Sequence, residues 1–517
     1  MNNGFQFLLA VLSSVCLAAP ACWARFPNPG VPVEGTDDPA PAISKDAGIA
    51  RATLLGMYRV ELGELFKPQD ADKLLQANQL IEGYFETSTA AGRKTTVKAL
   101  EQTGLEPGVI GRLIRVRMHW PKLAPGTYYV NEKQGPFDVR YFLGVPQGYD
   151  RARGWPMVVK LAPIEPFITN PPPDATQVTA LYNGWIKDEL TLHPDALLLM
   201  PLVNLAELYG PSYGGMNSVI QPMLHAADRV NIDPARVYLI GHSTGGMAAW
   251  NLALNYPTYF AAIAPLAGGL GHDWQKLRLV NLRNVLPVVW HDADDKLLKI
   301  APARAIIKSL KNQKIDVDYV ETKGLGHTPS NSIVAQRYEM MRSRVRQLYP
   351  PQVTIQSNRP EVLFNRNDWV QIWQEDDPGK ETRELFRMGT GHMDLYQRSA
   401  KADAKRDGNT ITLALDNVES MRLYLNDQMV DLKKPLTIIV NKKRTIHGGA
   451  KQSIEEMMLD QLFLGRGWRY YTAVLDIDLT DPGATTKPTT NPASRPAVPP
   501  KLRTGRIIVG PGAADGD

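Results

Sequence analysis

The segment Val237-Tyr238-Leu239-Ile240-Gly241-His242-Ser243-Thr244-Gly245-Gly246 carries the clearest structural signal in this chain of 517 residues. Apolar and β-prone residues lead directly into the pattern Gly-x-Ser-x-Gly, and a helix-like stretch follows. This pattern is typical of a sharp turn between a buried strand and a helix, which holds the serine at the tip of the strand. Gly241 and Gly245 fit such a turn because side chains would clash where the two backbones meet. Ser243 is expected to adopt a strained conformation that the flanking structure must hold.

The residues after the serine predict the helix that the turn requires. Apolar side chains recur with the spacing i, i+3, i+4, i+7 at Ala249, Leu252, Ala253 and Tyr256. Pro257 then ends the helix. Because Gly-x-Ser-x-Gly alone is expected by chance in roughly one chain of this length in five, a glycine-rich turn without chemistry is the alternative interpretation. The flanking strand and helix favour the functional one.

The composition is that of an ordinary globular protein, with 44% hydrophobic and 21% charged residues. A chain of this length is expected to contain two or three domains. The net charge of +5 is small, and the basic residues are scattered among acidic ones. The charge pattern therefore gives no indication of a nucleic-acid partner.

The first 24 residues resemble an export signal. Residues 7–19 carry no charge, and the small residues Ala19, Ala21 and Ala24 offer cleavage points. We expect cleavage after Ala24, with Ala21 as the alternative site. The mature protein is then expected in the periplasm or outside the cell, and not held in a membrane. Residues 1–6 lack the Lys or Arg that a signal normally carries, so an uncleaved anchor or a misassigned start is the alternative.

The two cysteines of the chain, Cys16 and Cys22, both lie within this signal. Cleavage after Ala24 would leave a mature chain without a thiol. Such a chain has no disulfide, no cysteine nucleophile and no zinc–thiolate site. We expect neither a metal nor an organic cofactor.

The rest of the chain divides into regions of different character. The predicted boundaries are residues 25–41 for a linker, 42–130 for a helical region, 131–349 for a catalytic domain, 351–480 for a β-sandwich-like domain and 481–517 for a disordered tail. Within the catalytic domain, strands are predicted at 139–145, 155–161, 196–200, 237–240, 287–290 and 317–320. Most of these runs are continuously apolar and helical stretches separate them, which predicts an α/β doubly wound sheet buried on both faces. Short alternating segments predict the sandwich, and sparse apolar residues predict the disorder of the tail.

The residues that would activate the serine follow it in the expected order. A serine hydroxyl becomes nucleophilic only when an oriented base takes its proton, and in hydrolases with this turn the chain order is serine, acid, histidine. The strand 287–290 leads into an acidic segment, in which Asp295 is the predicted acid and Asp294 the alternative. His327 follows the last strand, and glycines beside it let its loop fold back over the sheet. His242, adjacent to the serine, is interpreted as a packing or supporting residue because neighbouring side chains on such a turn point apart.

These features resemble the esterase and prolyl-oligopeptidase-like branch of the α/β-hydrolases over about residues 141–349. The matching motifs are Tyr141-Phe142-Leu143-Gly144-Val145-Pro146 with Tyr149-Asp150, Ile232-Asp233-Pro234-Ala235-Arg236-Val237-Tyr238 before the serine turn, Phe260-Ala261-Ala262-Ile263-Ala264-Pro265 after its helix, and His291-Asp292-Ala293-Asp294-Asp295, which is similar to the family's His-Gly-x-x-Asp. The resemblance implies an α/β-hydrolase fold, a Ser-His-Asp triad and Asp295 as its acid. Asp292 stands where the family usually has glycine.

The resemblance also implies an oxyanion hole, with one departure from the family pattern. Thr244, directly after the serine, would donate one backbone N–H. The family usually has Leu-His-Gly after the strand that here ends in Leu161, whereas this chain continues with Ala162-Pro163-Ile164. Because proline has no N–H, Ile164 or Glu165 would have to supply the second donor. Loss of one donor typically costs about 100- to 1,000-fold in rate, so the hole is either rebuilt or the enzyme is weak.

The leading hypothesis is a secreted serine hydrolase that cleaves small-molecule or polymeric carboxylic esters. A peptidase of the prolyl oligopeptidase type is the alternative with the same triad, although most such peptidases carry an N-terminal β-propeller and residues 42–130 look helical. An alternative of another class is an inactive hydrolase-fold scaffold that binds carbohydrate or a surface through exposed Trp369, Trp373 and Trp468. The sequence leaves open the acyl and alcohol groups, the role of the C-terminal domain and the oligomeric state.

Overall fold

The computed structural model describes residues 48–134, 137–162, 175–202, 213–385 and 392–480. The predicted signal, linker and disordered tail lie outside these ranges, and so does Ile164. Among the helices in these ranges, none combines the length and the apolar character needed to cross a membrane.

The N-terminal region is a layer of helices. Its α-helices are α1 (Arg51–Leu62), α2 (Ala71–Glu86), α3 (Ala90–Gln102) and α4 (Pro107–Leu113), with 3₁₀ turns at Gly63–Leu65 and Pro68–Asp70. Thr89 caps α3 by accepting a hydrogen bond from the Gly92 N–H. Pro107 begins α4, where its missing N–H leaves no helical bond unmade. Leu54, Ile81 and Leu100 are among the side chains of the layer's apolar core.

The centre of the molecule is a sheet to which eight strands of the described residues contribute. They are β1 (Gly126–Gln134), β2 (Phe137–Val145), β3 (Trp155–Leu161), β4 (Leu197–Pro201), β5 (Ile232–His242), β6 (Ala262–Leu266), β7 (Leu286–Asp292) and β8 (Asp318–Thr322). Their order is β1-β2-β4-β3-β5-β6-β7-β8. β2 runs antiparallel to β1 and β4, and the strands from β4 to β8 pair in parallel. These are the strand order and directions of the α/β-hydrolase fold, so the predicted fold class is confirmed.

Helices cover both faces of this sheet. They are α5 (Ala175–Leu192), α6 (Tyr213–Ala226), α7 (Thr244–Asn255), α8 (Ile300–Asn312) and α9 (Asn331–Arg342), and a 3₁₀ segment spans Asp273–Asn284. Successive side chains of a strand point to opposite faces. Leu239 of β5 accordingly joins the core beneath α7 and α8, whereas Ile240 joins the core that contains Tyr338 of α9. Burial on both faces explains why residues 237–240 of β5 are continuously apolar.

Two strands of this sheet go beyond the prediction. β1 begins at residue 126, so residues 126–130 belong to the sheet and not to the helical region predicted for 42–130. Tyr128 and Val130 alternate with less buried neighbours, a strand pattern that is short and easily overlooked. β6 has five residues and contains Pro265, which weakens the strand signal.

The C-terminal module consists of two packed sheets. Its strands are β9 (Gln352–Ser357), β10 (Arg366–Asn367), β11 (Val370–Glu375), β12 (Glu381–Leu385), β13 (His392–Tyr396), β14 (Ala400–Asp407), β15 (Thr410–Asp416), β16 (Val418–Leu425), β17 (Leu436–Val440), β18 (Arg444–Gly448) and β19 (Ala473–Asp478), and helix α10 spans Ile454–Leu464. One sheet has the order β18-β17-β15-β14-β9 and the other β10-β11-β16-β19, while β12 and β13 pair as a hairpin. Ile355, Leu413 and Leu423, from both sheets, share one apolar core, as in a β-sandwich.

The tryptophans proposed for sugar stacking do not form an exposed surface. Trp369 is 0% exposed within the core of the C-terminal module, and Trp468 is 3% exposed. Trp468 packs edge-on against Tyr259 of the catalytic domain. Trp373 is half-buried, with the Arg422 guanidinium 4.6 Å from its ring centroid. The exposed-aromatic hypothesis is therefore wrong for Trp369 and Trp468, because burying these large apolar rings supplies core packing.

The N-terminal helical layer packs against the C-terminal module. Met457 and Met458 of α10 lie in the same apolar core as Leu54 of α1. Arg466, which follows α10, forms an ion pair with Glu82 of α2 at 2.6 Å, and both side chains are largely buried. The described helices of this region thus form a packing layer on the C-terminal module.

Candidate active site

The turn at Ser243 has the strained geometry that its sequence predicts. Ser243 lies between β5 and α7 with φ of 55° and ψ of −115°, in the left-handed half of backbone space that an L-residue rarely occupies. A Cβ on Gly241 would lie 2.3 Å from the carbonyl of Gly245, and a Cβ on Gly245 would lie 2.6 Å from the Leu161 oxygen. Such strain costs on the order of 1–3 kcal/mol and persists only where the surrounding structure imposes it. The two glycines allow the close approach that imposes it here.

Backbone hydrogen bonds hold this turn in place. The Ser243 N–H donates to the Leu266 carbonyl at the end of β6 (2.9 Å), and the Ser243 carbonyl accepts from Met247 N–H in α7 (3.0 Å). The serine is buried, with 1% of its surface exposed. It also lies at the N-terminal end of α7, where the helix dipole favours negative charge. The site therefore suits an oxygen that becomes anionic.

The structure brings the three predicted triad residues together. His327 Nε2 lies 2.8 Å from Ser243 Oγ, and His327 Nδ1 lies 2.8 Å from Asp295 Oδ2. Asp294, the alternative acid, is exposed, whereas Asp295 is buried. In this geometry Asp295 is the carboxylate that contacts His327.

The environment of Asp295 keeps its carboxylate ionised. Its Oδ1 accepts hydrogen bonds from the Leu297 and Leu298 N–H groups, both at 2.9 Å. The buried His291 donates through Nε2 to the Leu298 carbonyl at 2.7 Å, and the same nitrogen lies 3.3 Å from Asp295 Oδ2. Burial raises the pKa of Asp295, but the hydrogen bonds from His291, His327 and Leu298 N–H outweigh it and hold the pKa below its usual range.

Two further residues hold the backbone of the loop that carries His327. His242 donates through Nε2 to the His327 carbonyl at 2.8 Å, which agrees with its interpretation as a supporting residue. Asp292 accepts hydrogen bonds from Thr322 Oγ1 and from Leu325 N–H, both in or beside this loop. Sequence reasoning gave Asp292 no role, although its place in a position usually held by glycine was a signal.

The oxyanion-hole prediction is only partly within the described residues. Thr244 is the first residue of α7 and directly follows the serine. β3 ends at Leu161, and Ala162 after it is buried. Ile164 and Glu165 lie outside the described residues, so the second donor stays a prediction. Among the described residues, no cluster of three His, Cys, Asp or Glu side chains is arranged to hold a metal ion.

Comparisons with known proteins give similarity at the level of solved structures. No protein-family model matches the chain, and no curated protein matches it either. A thermostable esterase is 21% identical over 43% of this chain and 63% of its own length, with a TM-score of 0.35. A ferulic acid esterase from Anaeromyces mucronatus is 13% identical over 43% of this chain and 90% of its own, with a TM-score of 0.31. A fluorophosphonate-binding serine hydrolase from Staphylococcus aureus is 12% identical over 43% and 97%, with a TM-score of 0.33.

The shared part is therefore less than half of this chain, and it spans under two thirds of the thermostable esterase. The assignment of the fold rests on the strand order and directions of the central sheet.

Proposed function

We propose that this protein is a serine hydrolase that cleaves carboxylic esters through an acyl-enzyme intermediate. The observation that carries the proposal is the continuous line of hydrogen bonds from Ser243 Oγ through the His327 ring to Asp295 Oδ2, with 2.8 Å at each step. A hydroxyl, a base and an orienting carboxylate in this arrangement form an activated nucleophile. The strained turn presents that hydroxyl at the carboxyl edge of the sheet, where folds of this type bind their ligands.

The geometry supports the following sequence of steps. Ser243 Oγ attacks the acyl carbon while its proton passes to His327 Nε2, and Asp295 stabilises the imidazolium that forms. The alkoxide leaving group departs with the proton from Nε2, and the acyl group remains on the serine. Water then attacks the acyl carbon while its proton passes to His327 Nε2, and Nε2 returns that proton to Ser243 Oγ as the acyl–oxygen bond breaks and the acid product leaves. Thr244 N–H and an N–H near Ile164 would bind the anionic oxygen in both halves.

An ester substrate is favoured over a peptide by the shape of the N-terminal region. In the oligopeptidases that this chain resembles, a β-propeller usually precedes the catalytic domain. Here the described residues before β1 form α1 to α4 and pack against α10 of the C-terminal module. Within the described residues, the region before β1 is therefore helical, which supports the ester hypothesis.

A covalent probe tests the nucleophile. The purified protein is incubated with a fluorophosphonate, and labelling is compared among the wild type, Ser243→Ala and Ser343→Ala. Ser343 is an exposed serine whose hydroxyl donates to the Met340 carbonyl, so it is a matched control. We expect labelling of the wild type and of Ser343→Ala, and none of Ser243→Ala. A folded wild type that takes no label would favour the inactive scaffold.

A substrate panel then separates the two enzyme classes. Short-chain aryl esters and aminoacyl amides are compared by kcat/KM with the same enzyme preparation. Faster turnover of the esters supports the proposal. Turnover of the amides at equal or greater kcat/KM would instead support the peptidase alternative.

A further inference from the structure

Asp292 lies at the point where the strand before the triad acid meets the strand before the triad histidine. It is the last residue of β7, and in the parallel register it stands opposite Thr322, the last residue of β8. Its side chain is buried, with 0% of the residue exposed. A carboxylate in such a place must find hydrogen-bond donors, because burial without them is costly.

The donors around this carboxylate are neutral and come from both loops of the site. Asp292 Oδ2 accepts from Thr322 Oγ1 at 2.7 Å and from Leu325 N–H at 3.1 Å, while Oδ1 accepts from Asp294 N–H at 2.9 Å. The Trp290 indole N–H donates to Thr322 Oγ1 at 3.0 Å, which directs the hydroxyl hydrogen of Thr322 towards the carboxylate. One side chain thus joins the loop that carries Asp295 to the loop that carries His327.

We propose that Asp292 is a positioning residue for His327: it fixes the backbone of residues 322–327 so that the imidazole spans Ser243 and Asp295. The inference rests on the proposed function and deepens it. It assigns different tasks to the two buried carboxylates, since Asp295 binds the ring of the histidine whereas Asp292 binds the chain that carries it. It also gives a reason for aspartate where the resembling enzymes usually have glycine.

The loop needs such an anchor because its middle is exposed and rich in glycine. Residues 323–325 are exposed, and Gly324 and Gly326 have φ of 91° and 73°. Glycine loses more conformational freedom on folding than any other residue, and exposed side chains supply little apolar burial to offset that loss. Fixed points come from Leu325 N–H on Asp292 and from the His327 carbonyl on His242. An error of about 1 Å in the imidazole would be enough to slow the reaction about 100-fold.

The charge on Asp292 is maintained by the same contacts. Burial raises its pKa, but the hydrogen bonds from Thr322 Oγ1 and from the N–H groups of Asp294, Leu325 and Gly326 outweigh burial and lower the pKa below its usual value. The carboxylate therefore remains an ionised acceptor for the loop at neutral pH.

The experiment compares Asp292→Asn and Asp292→Gly with Asp294→Asn in the full-length protein. Asp294→Asn removes an exposed carboxylate two residues away and leaves the Asp292 contacts intact. We expect both Asp292 variants to lose about 100-fold in kcat towards a short-chain aryl ester, with KM within about twofold of wild type. Amide hydrogen exchange of residues 325 and 326 should become faster in these variants only. Asp294→Asn should retain wild-type kcat and exchange.

Asp292→Asn with kcat within about threefold of wild type, or with unchanged exchange at residues 325 and 326, would overturn the proposal. If the Asp292 variants do not fold, Thr322→Val and Thr322→Ser take their place, because only the serine restores the hydroxyl donor. A loss of kcat in the valine variant that serine does not rescue would also overturn it. A wild type without esterase activity or fluorophosphonate labelling would refute the proposed function instead, and hydrogen exchange would still decide whether Asp292 holds the loop.

Discussion

Replacement of Asp295 by asparagine tests the catalytic geometry most directly, because the structure fixes which way the new amide must face. The Leu297 and Leu298 N–H groups both point at Oδ1 of the aspartate, each at 2.9 Å. An asparagine NH₂ group in that position would meet two donors. The amide oxygen therefore takes the Oδ1 position, and the NH₂ group takes the position of Oδ2 beside His327.

This orientation forces the wrong tautomer on the histidine. The NH₂ group would lie about where Oδ2 now accepts from His327 Nδ1 at 2.8 Å. Nδ1 must then accept a hydrogen bond, which leaves the ring proton on Nε2, 2.8 Å from Ser243 Oγ. A protonated Nε2 cannot take the serine proton. In a serine protease the same change of tautomer lowers kcat by about 10,000-fold, which corresponds to about 5.5 kcal/mol of transition-state stabilisation.

The assay is kcat/KM for a short-chain aryl ester with wild type, Asp295→Asn and Asp294→Asn. Circular dichroism establishes that each variant is folded. We expect Asp295→Asn to lose about 10,000-fold and Asp294→Asn to stay within about twofold of wild type. The reasoning is refuted if folded Asp295→Asn keeps more than about a tenth of wild-type activity, or if Asp294→Asn loses as much as Asp295→Asn does.

Three further predictions concern stability and processing. Gly241→Ala should lower the free energy of unfolding in denaturant by about 3 kcal/mol, because its methyl group would lie 2.3 Å from the Gly245 carbonyl. Gly83→Ala, where a methyl group would meet nothing within 4 Å, should not lower it. Equal losses in the two variants would contradict this explanation. Burial raises the pKa of Glu375 from 4.5 to about 7. The folded state then retains a proton that the unfolded state releases, so stability falls as the pH rises through this window, by up to about 3 kcal/mol. Glu375→Gln should accordingly raise the melting temperature at pH 8 and not at pH 4, and the same shift at both pH values would contradict this origin. Mass spectrometry of the exported protein should show a mature chain that begins at Arg25, and an intact N-terminus would overturn the predicted cleavage.

The contrast between two strands shows what a local pattern can predict. The continuous apolar run of β5 is unmistakable because both of its faces are buried. β14, by contrast, buries Ala402 and Ala404 between charged neighbours such as Asp403. Alanine contributes little apolar area and is the strongest helix former, so its period of two does not indicate a strand. β14 is set by its pairing with β9 and β15, which is a tertiary constraint.

The candidate site likewise combines contacts that the sequence predicts with contacts that depend on the tertiary structure. The side chains of Ser243, Asp295 and His327 meet because parallel strands place their carboxyl ends at one edge of the sheet, so chain order was enough to predict their meeting. The contacts of Asp292 depend on the register that sets it opposite Thr322 and on the return of Leu325 N–H to the end of β7. Neither has a periodic signature in the sequence. In the sequence, these contacts are indicated by an aspartate in a position that glycine usually holds.

The C-terminal module contacts the catalytic domain at both ends of the strands of the central sheet. Arg346 is buried and donates to the carbonyls of Phe260 and Asn284, which precede β6 and β7, and to the buried Asp368 of the module at 2.7 Å. These contacts lie at the amino ends of the strands, away from Ser243. Loss of Asp368 would leave the buried Arg346 guanidinium without its carboxylate, which typically costs about 3–5 kcal/mol. The module is thus bonded into the core of the catalytic domain.

The hairpin of β12 and β13 makes its contact near the carboxyl ends of the strands. Met393 and Leu395 of β13 form an apolar cluster with Trp274, in the segment that leaves the carboxyl end of β6. The Leu266 carbonyl at that end accepts from the N–H of Ser243. The hairpin thus packs on the segment that follows β6, the strand whose last carbonyl bonds Ser243. The Arg346–Asp368 pair, by contrast, lies at the amino ends of the strands.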